Sequence, residues 1–191
     1  MSQHSPPTPR TPDVDEARDA RAAVAGDGEA FGRLAERYGL AARRVAMAVL
    51  RNQEEADDAV QDGLLAAWRA IDRFDPARPF RPWLMRIVSN AALDAVRRRQ
   101  VRRTEEIPHA VESRDVLPDR ATDHSLIRET LDAALAELPE RQRIAVVLFD
   151  VEGYGHADIA EVLQVPEGTV RSYVFHARRA LRKTLAPFME E

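Results

Sequence analysis

The 191-residue chain has no cysteine. That excludes disulfides, cysteine-ligated zinc and thiol switches. It has one lysine, Lys183, preceded by Arg182. No Gly-Lys phosphate loop can be drawn. Glycine is sparse and β-branched runs are short, while alanine and arginine abound. That balance predicts an all-helical protein. The longest apolar runs, such as 45–50, are about six residues, against the ~20 needed to span a bilayer. The first residues, Met-Ser-Gln-His-Ser-Pro-Pro-Thr-Pro, lack the apolar core of a secretion signal. The expectation is a cytoplasmic protein with no membrane insertion. Histidines at 4, 109, 124, 156 and 176 are scattered, and no His-Glu-x-x-His pair occurs. Asp57, Asp58 and Asp62 do not all share one face of their helix, so they make a poor cation cage. No catalytic residue, metal ligand or cofactor is expected, and the chain does not read as an enzyme.

The chain does have strong charge patterning. Its net charge is only -4. Yet residues 54–62 hold five acids and no base, and residues 97–103 hold five arginines and no acid. Opposite patches suit a chain that meets both a protein surface and nucleic acid.

Gly153 to Arg182 reads as two helices joined by a tight turn. Ile159, Ala160 and Leu163 give the first a short apolar face. Val165-Pro166 ends it and opens the next, since proline is tolerated at a helix start but not inside. Val170, Val174, Ala177 and Leu181 then form one stripe at 3.6 residues per turn. Thr169, Arg171, Ser172, Phe175, His176, Arg178 and Arg179 are the candidates for contact with DNA. A short helix, a tight turn and a second helix with a basic outer face is the helix-turn-helix layout, whose second helix enters the major groove.

In chain order, residues 1–14 read as a disordered, proline-rich tail. A helix begins near Asp15 and stops at Gly26-Asp27-Gly28. A second runs over 29–50 with Asp27 as N-cap. Phe31, Leu34, Tyr38, Ala41, Val45 and Val49 mark its inner side. Asn52 and Glu55 suggest a capping box opening a third helix over 53–71. Ala56, Val60, Leu64, Ala67 and Ile71 face inward there, while Asp58, Gln61, Asp62 and Leu65 face outward. After the proline-broken 72–79 segment, a fourth helix covers 80–101. Its expected core stripe is Leu84, Ile87, Val88, Ala91 and Ala95. Trp83, Arg86, Asn90 and Arg97 share another face, and an aromatic among arginines suits unstacked bases. Residues 102–123 lack helical period and read as a flexible linker. Helices over 123–137 and 139–151 precede the helix-turn-helix, and 188–191 are a tail. Two small helical domains follow, over 15–101 and 124–187.

Four stretches now occur in matching order: Ala56-Asp-Asp-Ala-Val-Gln-Asp62; Ala67-Trp-Arg-Ala-Ile-Asp-Arg-Phe-Asp-Pro76; Pro79-Phe-Arg-Pro-Trp-Leu-Met-Arg-Ile-Val-Ser-Asn90 with Arg97-Arg-Arg99; and Leu138-Pro-Glu-Arg-Gln-Arg143 with the helix-turn-helix. Together they resemble a bacterial sigma factor of the extracytoplasmic-function group in the sigma-70 family. The resemblance covers about 15–185. It implies that 15–101 is sigma region 2 and 124–187 is region 4. It implies binding of core RNA polymerase and promoter DNA, and commonly restraint by an anti-sigma protein. Asp58, Gln61, Asp62 and Leu65 would meet the clamp helices of the largest polymerase subunit. Arg73, Phe74, Arg78, Arg81, Trp83, Arg86, Asn90 and Arg97 would read and help melt the -10 element. The second helix of the helix-turn-helix would read the -35 element, and region 4 would touch the polymerase flap. The pattern departs from the family at Gln164, where glycine is usual and where the turn would be strained. It also departs at Tyr173, Phe175 and His176 in the reading helix. Phe175 would offer an apolar contact, and Tyr173, beside the core stripe, would pack back on the domain. The competing reading is a stand-alone helix-turn-helix regulator of duplex DNA. That reading leaves the first 101 residues unexplained.

Overall fold

The computed structural model describes residues 14–105 and 123–188. The expected N-terminal tail up to residue 13, the linker from 106 to 122 and the last three residues lie outside the described residues. Eight α-helices are described: α1 (Val14–Val24), α2 (Gly28–Leu50), α3 (Gln53–Arg69), α4 (Phe80–Glu105), α5 (Asp123–Ala136), α6 (Glu140–Val146), α7 (His156–Leu163) and α8 (Glu167–Leu185). No strand occurs among the described residues. Helix α4 runs past the expected boundary at 101. The helix expected over 139–151 is instead α6 followed by one π-helical stretch, Val147–Val151.

The caps explain where α2 and α3 begin. Asp27 accepts from the backbone N–H of Glu29 at 2.9 Å and of Ala30 at 3.1 Å. Those are donors that a helix start leaves orphaned. Asn52 accepts from Glu55 N at 2.9 Å. The return half of the expected capping box is replaced, because the Glu55 carboxylate accepts from Arg99 of α4 at 3.0 Å.

Helices α1 to α4 close around Leu34, Val45, Val49, Leu84, Met85 and Val88, all fully buried. On α3 the innermost residues are Ala56, Ala59, Gly63 and Ala67, with Val60 and Leu64 half-buried. Gly63 sets the approach of α4. A Cβ there would sit 2.9 Å from Val88 Cγ2 and 3.1 Å from Val88 Cα.

A buried carboxylate fixes the start of α4. Glu16 of α1 accepts from Phe80 N at 2.7 Å and Arg81 N at 3.4 Å, and from the Tyr38 hydroxyl at 2.6 Å. The cap of α4 is thus supplied from another helix. Burial and the neighbouring Glu16 push the Tyr38 hydroxyl pKa up. Close by, Arg33 donates to Asp19 through Nε at 3.2 Å and Nη2 at 2.9 Å. Those bonds hold the Asp19 carboxyl below its usual pKa.

Helices α6 to α8 bury Ile144, Leu148, Ile159, Val162, Val170, Val174 and Ala177. Arg141 donates to Leu163 O at 3.1 Å and ties α6 to the end of α7. At the turn, Gln164 takes the left-handed conformation, φ 53° and ψ 48°. The chain bends there without the usual glycine. The two halves also touch: α7 lies along α4, and α6 lies against α2.

Candidate nucleic-acid and polymerase interfaces

The outer face of α8 forms as the periodicity requires. Val170, Val174 and Ala177 are buried, and on the opposite side Arg171, Ser172, Phe175, His176 and Arg179 are exposed. Phe175 is 61% exposed, a large apolar side chain held in solvent on a basic helix. Its ring meets His176 edge-on at 5.4 Å. Thr169 is half-buried. Arg178 departs from the expected set: it pairs with Asp150 through both Nε and Nη2, with its guanidinium 4.9 Å over the Phe149 ring. It braces the domain rather than facing outward. Tyr173 is half-buried and lines a cleft with Leu93 and Val96 of α4. His156, stacked on Phe149 at 4.5 Å, has its imidazole pKa pushed down by burial and by Arg171.

The second candidate surface is the 72–79 segment with the start of α4. Arg73, Arg78, Asn90 and Arg97 are exposed, and Arg81 and Arg86 are half-buried. Phe74 and Trp83 are not at the surface: they are 4% and 8% exposed. Both pack around Phe80, with ring centroids 5.4 Å apart in each case. In this arrangement they are core residues, packed in an aromatic cluster in which Phe80 also meets Phe31. They shape the loop that carries Arg73 and Arg78. Arg97 pairs with Asp94 one turn away at 2.5 Å.

The third surface is the outer side of α3, where Asp58, Gln61, Asp62 and Leu65 are all exposed. Sequence reasoning missed what lies beside them. Phe31, Val60, Leu64, Leu65 and Trp68 line an apolar groove of about 480 Å³, edged by Asp57 and Gln61. The available signal was Trp68, three residues after Leu65 and therefore on the same helical face. Asp57 is engaged by Arg43 at 2.6 Å, which lowers its pKa.

The sigma-70 region 2 model matches residues 34–102, and the sigma-70 region 4 model matches residues 128–181. The extracytoplasmic-function RNA polymerase sigma factor SigM of Mycobacterium tuberculosis is 41% identical over 85% of this chain and 80% of that protein. The chain belongs to the sigma-70 family. It is an RNA polymerase sigma factor of the extracytoplasmic-function group. SigW of Bacillus subtilis is 30% identical over 84% of this sigma factor and 91% of its own length. Among solved structures, CnrH in complex with the cytosolic domain of CnrY is similar, with a TM-score of 0.70 and 29% identity over 91% of this chain and 98% of that one. So is the sigma factor RpoE bound to the anti-sigma factor NepR from Bartonella quintana, with a TM-score of 0.70 and 28% identity over 82% and 96%. The region 2 match accounts for the half of this sigma factor that a stand-alone helix-turn-helix regulator would leave unexplained. Among the described residues no helix is long and apolar enough to cross a membrane. No group of three or more His, Asp or Glu side chains there could hold a metal ion.

Proposed function

We infer that this sigma factor divides its work among the three surfaces. The exposed side of α3 (Asp58, Gln61, Asp62 and Leu65) docks on the clamp helices of core RNA polymerase, and the groove at Trp68 widens that contact. Arg73, Arg78, Arg81, Arg86, Asn90 and Arg97 serve the -10 element. Thr169, Arg171, Ser172, Phe175, His176 and Arg179 serve the -35 element. The boundaries are 15–101 for the first domain and 124–187 for the second, with region 4 also touching the polymerase flap. The chain acts in the cytoplasm, without catalytic chemistry of its own. An anti-sigma protein restrains it, as one binds the similar RpoE.

The observation that carries this reading is the separation of faces on α8. A buried apolar stripe fixes the helix, and its basic side is left to solvent. An arginine in the major groove can donate two hydrogen bonds to guanine O6 and N7, discriminating by about 1–3 kcal/mol per pair. Phe175 supplies an apolar contact of the kind a thymine methyl accepts. Opening the -10 strands costs a few kcal/mol per flipped base. Contacts of the unpaired strand with Arg78, Arg86 and Asn90 offset part of that cost.

The test is transcription by core polymerase with and without this protein on genomic fragments. Start sites should appear only with it. Asp58→Arg with Asp62→Arg should weaken core-polymerase binding at least tenfold, yet leave the circular dichroism spectrum intact, since exposed changes rarely unfold a domain. Unchanged polymerase affinity would remove α3 from the reading. Asn90→Ala should slow promoter opening more than closed-complex formation, read by permanganate footprinting.

A further inference from the structure

Three arginines that none of the surfaces above uses come together where α2 ends. Helices α2 and α6 pack against each other. Arg44 of α2 donates to the Glu152 carboxylate at 2.5 Å. Further along α2, Arg51 comes close to Arg143 of α6. Arg99 of α4 reaches the same place. Its Nη1 donates to the Leu50 carbonyl at 3.4 Å and to the Glu55 carboxylate at 3.0 Å. Arg51, the left-handed residue that closes α2, is exposed. It lines a cleft of about 670 Å³ with Met47, Leu135 and Val147, and Asp132 lies on the same cleft.

Arg143 is the unusual member. It is 6% exposed, and its buried Nε has no hydrogen-bond partner. Its Nη2 lies 3.4 Å from the Glu140 carboxylate, a side chain that is itself 38% exposed. Burial pushes the Arg143 pKa down, and Arg51 and Arg99 push the same way, against the pull of Glu140. A buried charge is tolerated where it is both paired and hydrogen-bonded. Here two carboxylates, Glu55 and Glu140, pair within a group of three guanidiniums. One positive charge is left over. A guanidinium presents its donors in a planar fork that fits phosphate oxygens. An oxyanion with several oxygens and more than one charge can accept from neighbouring guanidiniums at once. Arg51 is exposed and Arg99 half-buried, so solvent reaches both.

We propose that Arg51, Arg99 and Arg143 form a binding site for a small, multiply charged oxyanion of the phosphate class. The anion supplies the counter-charge that the end of α2 lacks, and it joins α2, α4 and α6 through one ligand. Arg51 and Arg99 take it from solvent, and Arg143 adds its charge from beneath. The site is separate from the exposed basic side of α8 that is assigned to promoter DNA.

The test is thermal unfolding of the whole chain, followed by circular dichroism in magnesium-free buffer. Pyrophosphate is the probe, and potassium chloride holds the ionic strength constant. A ligand that binds only the folded chain stabilises it by mass action, so millimolar pyrophosphate should raise the Tm saturably, by about 2 °C or more. Arg51→Asn removes the charge with a residue that accepts a left-handed backbone. It should weaken the pyrophosphate midpoint at least tenfold. Arg143→Met should abolish the gain and also raise the Tm without anion, because an unpaired buried charge is gone. Arg179→Ala, on the exposed side of α8, should keep the full gain. ADP in place of pyrophosphate distinguishes the source of the diphosphate. An equal midpoint shows that the site takes a nucleotide, and a gain with pyrophosphate alone shows that it takes the inorganic anion. No gain beyond potassium chloride in the wild-type chain would overturn the site. So would a gain that survives Arg51→Asn and disappears in Arg179→Ala, which would put the anion on α8.

Discussion

Two residues carry costs and gains that can be measured singly. Gln164 has a left-handed backbone, which a side-chain-bearing residue adopts at roughly 1 kcal/mol or more and glycine adopts freely. Gln164→Gly should raise stability by about 0.5–1 kcal/mol in urea unfolding, less than the full strain because glycine also frees the unfolded chain. Asp19 behaves oppositely. Its carboxyl is held below the usual pKa by the hydrogen bonds from Arg33. A depressed carboxylate contributes stability above its unfolded pKa of ~3.9 and loses it as the pH falls through the lower folded value. Asp19→Asn should therefore lower the melting temperature at pH 6. The gap to wild type should close as the pH falls below ~3.

Among the elements, α3 and α4 meet closely because Gly63 leaves no room for a side chain. Gly63→Ala should cost about 1–3 kcal/mol by overpacking, since the nearest neighbours include backbone of Val88. Along α8, Arg171→Ala and Arg179→Ala should each reduce the slope of log affinity against log salt for duplex DNA by about 1 if each meets a phosphate. The starts of α2 and α3 were legible because caps act locally: Asp27 and Asn52 bond donors within three residues. The apolar stripe of α8 was legible because one side of that helix is covered and the other is not. Helix α4 was harder. It is packed by α1, α2, α3 and α7, so its inner surface is a broad band rather than a stripe. Residue spacing placed Trp83 with Arg86 and Asn90, yet Phe74 and Phe80 enclose it. Phe80 and Phe31 are 49 residues apart in the chain, and no local pattern predicts that they meet. The contacts of Arg81 with Glu152 and Tyr154 span more than 70 residues and were illegible for the same reason.

For the whole molecule, the outer side of α3 stays exposed and makes none of the contacts by which Arg78 meets Glu161 and Arg81 meets Glu152. The polymerase docking proposed for α3 and the contacts between the two halves therefore use separate surfaces. Arg44→Glu and Glu161→Gln should leave core-polymerase affinity within about twofold, measured by titration against labelled polymerase, because distant sites act additively. The Glu16 cap has a consequence for the order in which the molecule is made. Helix α1 leaves the ribosome early, but Glu16 must wait for the backbone N–H groups of Phe80 and Arg81, 64 and 65 residues later. At roughly 5–20 residues per second that is a delay of about 3–13 s. Until then the carboxylate stays in water, and the first domain cannot close around it.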